Sequence, residues 1–351
     1  MKLVDVHIHL DFPDYKNDLK ELIKDSQDKG VRAIVANGTN KKSNREVLKL
    51  SDRFEIVKPA LGIYPTDAHS MSFEEIDDEI DFIKKSEAKA FGEVGLDNKY
   101  LETKEEKEKQ DYAFEKFLKL SEKTKKPLII HSRKAEAEII EKLESSKARA
   151  ILHCFMGKKK LMQKGSDLGY SFSVLPTIVK SEQLKQLADY VPLKQLLTET
   201  DGPFMSLTDK RNVPSQVIHS VNEIAKIKKI EAEEASNIIF MNYQKMFKWW
   251  REGANMEIKI DTNKDSKEDM KKVIKLLQEI VGDTSSQSEG YTNIFEGTNK
   301  DESQSSNEED TVFNLFEDNE APEEKKEEEY KPKAPKVEFY DIWLRWKELL
   351  F

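Results

Sequence analysis

Short runs of apolar and β-branched residues recur through the first two hundred positions, each followed by a longer stretch whose apolar residues return every three or four positions. Eight such runs read as strands, at 3–9, 31–38, 56–64, 89–97, 127–132, 148–155, 170–174 and 195–201. The stretches between them have the pattern of helices with one buried face. After Thr103, residues Ala113, Phe114, Phe117 and Leu118 share one side while Lys and Glu fill the rest, and after Arg133 the same side is built from Ile139, Ile140 and Leu143. Strands alternating with helices require parallel pairing through right-handed crossovers. Eight units favour closure into a (β/α)8 TIM barrel over an open doubly wound sheet. Two further helices, around 215–228 and 231–250, complete a domain expected to span 1–253.

Past Gly253 the pattern changes. Met256, Ile258 and Ile260 alternate like a short strand, and Met270, Val273, Ile274, Leu277 and Val281 form one helical face, so a small strand-helix appendage is expected at 254–282. An acidic linker follows at 283–336. Residues 283–329 hold sixteen acidic and three basic residues among Ser, Asn, Gly and Thr, too little apolar surface to offset chain entropy, so disorder is expected there. The chain ends in an aromatic stretch, 337–351, in which Val337, Tyr340, Trp343, Leu344, Trp346 and Leu350 fall toward one side of a helix. Such a helix should dock, either on its own barrel or on a separate protein partner reached through the tether.

Charge divides the chain at the same place. Residues 1–253 carry 44 Lys+Arg against 42 Asp+Glu, whereas residues 254–351 carry 14 against 25, so the net charge of −9 comes from the tail. The barrel half therefore has no broad basic field, which argues against tight nonspecific binding to duplex nucleic acid. A sole cysteine, Cys154, excludes an internal disulfide framework. No segment approaches the roughly 18–20 consecutive apolar residues of a membrane helix, so a soluble, cytoplasmic protein is expected.

The candidate chemistry lies in five of the six histidines, which fall at or just beyond the carboxyl ends of expected strands, where barrel enzymes assemble their sites. His7 and His9 alternate on the first strand, so both side chains point into the barrel mouth. Glu93 ends the fourth strand, His131 the fifth, His153 the sixth and Asp201 the eighth. Imidazoles and carboxylates without a thiolate suit divalent Zn, Mn or Mg, and a carboxylate between two imidazole groups is able to bridge two ions. His69, in a loop after the third strand, reads more simply as a satisfied polar residue, and Cys154, on the opposite strand face from His153, as a packed, inert thiol.

At these positions the chain resembles the TatD family of metal-dependent deoxyribonucleases, a branch of the amidohydrolase-like metal hydrolases. The matching segments are Asp5-Val-His-Ile-His9, Gly92-Glu-Val-Gly-Leu-Asp97, Ile130-His-Ser-Arg133, Leu152-His-Cys-Phe155 and Glu199-Thr-Asp-Gly-Pro203. The resemblance runs to about Trp250 and leaves the last hundred residues uncovered. It implies that His7, His9 and Asp201 hold one metal, that His131 and His153 hold the other, and that Glu93 lies between them. It also implies cleavage of DNA phosphodiesters, commonly by an exonuclease. One departure stands out: where the family usually has His-Pro-His after the third strand, this chain reads Gly62-Ile-Tyr-Pro-Thr-Asp67. Tyr64 therefore replaces a histidine associated with substrate contact, and it is expected either to meet a phosphate or base or to pack.

The expected activity is hydrolysis of DNA ends or single strands by a two-metal-activated water, with Asp201 or Glu93 as base. Arg133 has two readings, a bidentate phosphate contact and an ion pair with Asp97 or Glu199. Lys158, Lys159 and Lys160 sit where a helix should begin, against its dipole, and read as phosphate attraction or as a solvated face. Alternatives of other kinds are hydrolysis of a different ester, such as deacylation of aminoacyl-tRNA, and an adaptor whose tail matters more than its site. The intact set of six ligand residues argues against the adaptor.

Overall fold

The computed structural model describes residues 1–247, which lie within the first of the two units into which the chain divides, Met1–Glu252. The appendage, linker and terminal helix expected at 254–282, 283–336 and 337–351 lie outside the described residues. Eight strands follow one another through the described residues: β1 (Leu3–Ile8), β2 (Val31–Asn37), β3 (Val57–Ala60), β4 (Phe91–Gly95), β5 (Leu128–His131), β6 (Ala150–Leu152), β7 (Ser171–Val174) and β8 (Leu196–Thr198). Helices α1 (Leu19–Asp28) and α2 (Lys41–Arg53) follow β1 and β2, and α3 (Pro65–His69) and α4 (Phe73–Lys85) follow β3. Then come α5 (Lys104–Thr124), α6 (Glu136–Glu144), α7 (Lys159–Asp167) and α8 (Glu182–Tyr190), one after each of β4 to β7, and finally α9 (Val217–Lys228) and α10 (Ala232–Phe247) after β8.

All strand pairs are parallel. They form a three-stranded sheet, β1-β2-β3, and a five-stranded sheet, β4-β5-β6-β7-β8. Single bridges at Ala60↔Ala90 and Ile8↔Gly202 join the two sheets into the ring of a (β/α)8 barrel. The strands are shorter than the apolar runs, and at β6 and β8 the chain leaves extended geometry soon after the carboxyl end. Cys154 has φ +41° and Asp201 φ +55°, so His153 lies just beyond β6 and Asp201 beyond β8, while Glu93 sits in the middle of β4. His69 ends the short helix α3 rather than lying in a loop.

The helices form where their patterning and caps agree. Asn40 caps α2 by accepting from the Lys42 and Ser43 amides, and Ser72/Glu75 and Thr103/Glu106 make capping boxes at α4 and α5. The faces expected on α5 and α6 are buried against the barrel. Each large apolar side chain so buried contributes roughly 1.5–3 kcal/mol. Gly95 is required for a close approach: at φ +140° its Cβ position would lie 2.1 Å from the His131 carbonyl oxygen, so only glycine lets β4 lie against the end of β5 here.

Candidate metal centre

The first strand is buried along its whole length, and its alternation puts His7 and His9 on one side, with their Nε2 atoms 3.3 Å apart. Asp5, two residues earlier, fixes this end of the strand. One carboxyl oxygen accepts from the amides of His7 (3.2 Å) and Thr200 (3.0 Å), and the other from the Thr200 hydroxyl (2.6 Å). The segment leading to Asp201 is thereby tied to β1, and the Asp201 amide donates to the His7 carbonyl at 2.9 Å.

Glu93 reaches in from β4 between two groups of imidazoles. Its Oε2 lies 3.4 Å from both His7 Nε2 and His9 Nε2, and its Oε1 lies 2.9 Å from His131 Nδ1 and 3.5 Å from His153 Nε2. Asp201 Oδ1 adds a contact on the first side, 3.5 Å from His7 Nε2 and 3.6 Å from His9 Nε2. The rings of His7 and His153 stack at 3.8 Å, nearly parallel. Three groups of ligand type result among the described residues: His7 with His9 and Asp201, His131 with His153 and Glu93, and His7 with His153 and Glu199.

The outer nitrogens hold these rings in place. His9 Nδ1 is 3.0 Å from the Asn37 carbonyl oxygen, His153 Nδ1 is 2.9 Å from Glu199 Oε2, and His131 Nε2 is 2.9 Å from Asp97 Oδ2. An imidazole that donates its outer N–H to an oxygen presents a lone pair from the inner nitrogen, the arrangement that orients histidine ligands. Glu199 is fully engaged, since its Oε2 also accepts from Ser173 Oγ at 2.6 Å and its Oε1 from the Cys154 amide at 2.8 Å.

These residues fit a cation. Four inner donor atoms, His7 Nε2, His9 Nε2, Glu93 Oε2 and Asp201 Oδ1, lie 3.3–3.6 Å apart for every pair given above. Ligands held tetrahedrally at about 2.0–2.1 Å from one ion are separated by about 3.3–3.4 Å. Buried carboxylates and imidazoles at such separations make poor hydrogen bonds with one another, yet all can point at one positive charge. His7 Nδ1 is buried without a hydrogen-bond partner among the described residues.

The electrostatics follow from this crowding. Burial opposes charge on every member, but at His9 the carboxylates of Asp201 and Glu93 outweigh it and hold the imidazolium well above the usual range. At His153, burial is likewise overcome, chiefly by Glu199, and the pKa is pushed up to about 9. His131 is raised against burial by Asp97 and Glu93. His7 moves down, through burial and the neighbouring His153. Burial works against the ionised forms of Glu93 and Asp201 too, but the surrounding histidines keep both carboxyls below their ordinary values. A site that gathers protons in this way exchanges them for a metal.

The other residues singled out in the sequence fall in different places. Tyr64 joins the rim of the cluster: its hydroxyl donates to Asp97 Oδ2 and lies 3.3 Å from His131 Nε2, with its ring edge-on to His131. Arg133 pairs with Asp97 rather than Glu199, through Nε at 2.8 Å and Nη2 at 2.6 Å, and Nη2 also reaches the Tyr64 hydroxyl. Lys158 occupies the exposed N-cap position of α7, and among the described residues no hydrogen bond or ion pair joins it to the cluster. The Lys159 ammonium lies over the Tyr190 ring, 3.9 Å from its centroid. His69 Nε2 contacts Gln110 Nε2 at 2.9 Å, a satisfied polar position. Burial pushes the Cys154 thiol well up, as an inert thiol requires. The sequence reading missed Asp97 and Glu199 as holders of His131 and His153. Its available signal was an additional carboxylate inside the motif of a ligand, Asp97 after Glu93 and Glu199 before Asp201.

Residues 4–248 match the family described as TatD related DNase. Human deoxyribonuclease TATDN3 is 31% identical over 258 residues, covering 70% of this chain and 94% of the human protein. An uncharacterised metal-dependent hydrolase of Methanocaldococcus jannaschii is 31% identical over 251 residues, covering 71% of this chain and 98% of its own. Among solved structures, the TatD homologue YJJV of Escherichia coli superposes with a TM-score of 0.65 at 25% identity, over 70% of this chain and 98% of that one.

Proposed function

The chain belongs to the TatD family and is a metal-dependent hydrolase, and from that premise we propose that it is a deoxyribonuclease acting on DNA ends or single strands, with two divalent ions of Mg, Mn or Zn. The observation that carries this reading is the placement of Glu93, which turns one carboxylate oxygen to His7 and His9 and the other to His131 and His153. The name of the human relative supports DNA as the substrate. His7, His9 and Asp201 would hold one ion, His131 and His153 the other, and Glu93 would bridge them. Divalent cations so held lower the pKa of water and neutralise charge that develops on a phosphodiester.

The chain's own residues supply the rest. Asp201 accepts the proton of the attacking water: its carboxyl is kept ionised, and its side chain is 18% exposed at the mouth whereas that of Glu93 is 4% exposed. Glu93, bracketed by four imidazoles, keeps the two groups in register. Asp97 and Glu199 fix His131 and His153 against rotation. Arg133, about a third exposed, balances the charge of Asp97 and leaves its Nη1 for a phosphate oxygen. Cleavage from an end, one nucleotide at a time, is the mode we assign.

The test uses metal-stripped protein with end-labelled single- and double-stranded DNA, to which Mg, Mn or Zn is restored separately. Stepwise shortening of the strand after addition of at least one ion is expected. Intact DNA under every ion, or turnover of aminoacyl-tRNA in a parallel assay without turnover of DNA, would overturn the reading.

A further inference from the structure

Five of the exposed large apolar side chains among the described residues lie beyond the carboxyl ends of strands: Tyr100 after β4, Met156 after β6, Val179 after β7, and Phe204 and Met205 after β8. The catalytic face thus carries an apolar rim around a polar centre. Phe204 is the extreme case, 52% exposed. It is not a loose side chain on a frayed loop. The Phe204 amide donates to the Asp201 carbonyl at 3.0 Å, and the Asn212 amide donates to that of Pro203 at 3.0 Å. The Asn212 side chain donates to the carbonyls of Thr200 and Met205, and Tyr15 donates to that of Asn212 at 2.6 Å. Asp201 and Met205, at either end of the turn, take left-handed φ of +55° and +51°, a conformation uncommon for non-glycine residues and costly unless the surroundings hold it. A turn held this firmly keeps a phenylalanine in water.

The ring is also aligned with the metal centre. Phe12 lies against the His9 imidazole, centroids 5.2 Å apart and planes 24° from parallel, and Phe204 meets Phe12 edge-on at 5.6 Å. The His9 and Phe204 centroids are 6.5 Å apart. Aromatic surface therefore runs from a candidate ligand outward to solvent, next to Asp201.

We propose that Phe204, backed by Phe12, is a stacking platform for an unpaired nucleobase of the strand being cut. This rests on the deoxyribonuclease reading and adds to it the residues that would bind the base. A nucleotide whose phosphate lies beside His9 has its base one sugar away, at the range of the Phe204 ring. A flat π-face accepts any base, so the platform supplies affinity without sequence preference. In a duplex both faces of an internal base are already covered, so the platform favours single strands and frayed ends over paired DNA. The occupant is a base rather than an apolar protein segment because the Phe204 ring is continuous, through Phe12 and His9, with the candidate metal centre where a phosphate would lie.

The test is a cycle between Phe204 and the base, run on the full-length, metal-loaded protein. An oligothymidylate is compared with the same backbone carrying tetrahydrofuran units in place of nucleotides, placed singly along the strand. Phe204→Ala is expected to raise KM for oligothymidylate about tenfold, and Phe204→Trp to restore it. When the base that meets Phe204 is absent, the parent and the alanine variant should have the same KM. An unchanged thermal midpoint of the alanine variant establishes that its fold is intact. An equal rise in KM at every tetrahydrofuran position, or no rise on any strand, overturns the platform and leaves the apolar rim to another occupant, such as a protein segment. If the parent cleaves neither strand under any ion, the deoxyribonuclease reading falls first and the platform with it.

Discussion

Glu199 touches no inner donor atom of the centre, yet its replacement by glutamine should weaken metal binding strongly. The side chain is fully buried, and its two oxygens accept three hydrogen bonds, from His153 Nδ1 and Ser173 Oγ on one side and from the Cys154 amide on the other. Glutamine keeps one acceptor and turns the other into a donor. If the new NH2 faces His153, it donates to Nδ1, the proton moves to Nε2, and the nitrogen aimed at Glu93 loses its lone pair. If it faces Cys154 instead, two N–H groups oppose each other in a buried space, which costs about 1–3 kcal/mol. The first orientation removes the inner lone pair of His153, and the second opens an unsatisfied contact at Cys154, the residue next to it. Partners of this kind are worth roughly 10–100-fold in metal affinity, so Glu199→Gln should weaken binding of one ion by that factor. Titration of the metal-stripped variant against a chelator of known affinity, with a denaturant melt in parallel, reads both effects. Unchanged affinity would refute the tautomer argument. A loss beyond about a thousandfold would also refute it, because Glu199 would then have to be a ligand itself.

His131→Ala and Asp201→Asn should each lower metal-dependent DNA hydrolysis by at least about a hundredfold while circular dichroism stays that of the parent, since one loses a ligand and the other the proton acceptor; retained activity in either would refute the two-ion assignment. Tyr64→Phe removes only the hydroxyl shared by Asp97, His131 and Arg133, so DNA hydrolysis should change while the metal content, measured by elemental analysis, stays constant; parent-like kinetics would reduce Tyr64 to packing. For pH, the folded-state pKa of His153 is raised from 6.5 to about 9, so its contribution to the stability of the metal-free protein is complete below 6.5 and is lost as pH rises toward 9. Metal competes with that proton, so affinity should strengthen across the same window. The gap in thermal midpoint between metal-loaded and chelator-treated protein should therefore widen from pH 6.5 to 9, and a constant gap would contradict the proton count.

The barrel and the convergence of the candidate ligands at one end of it were legible, because both follow from periodic patterns along the strands. Eight apolar runs separated by amphipathic stretches leave few architectures, and the two-residue spacing of His7 and His9 puts both on one side of any strand. The strand ends were not legible, because the departure of Cys154 and Asp201 from extended geometry depends on contacts such as that of the Asp201 amide with His7, made across the ring. The same holds for the partner of Arg133. Asp97 and Glu199 were both available in the sequence, and only the fold decides that one takes Arg133 and His131 while the other takes His153. Phe12 and Phe204 stand on opposite sides of the β8–β1 junction, and nothing local to either residue announces their contact.

The division of the strands into sets of three and five has a mechanical side. Where β3 meets β4, and where β8 meets β1, the sheets are joined by one bridge each and by a few backbone hydrogen bonds, from the amides of Leu61, Lys89 and Gly92 at the first joint and of His9 and Asp201 at the second. His7 stands on the smaller sheet and His9 just beyond it, and Glu93, His131 and His153 on or just beyond the strands of the larger one, with Asp201 in the segment that crosses back to β1. An ion gripped by this set would act as a keystone, clamping two staves of the barrel across the joints between its two sheets. Its binding energy is therefore shared with closure of the ring, so chelation should first loosen the amides along those two joints and only later those within either sheet.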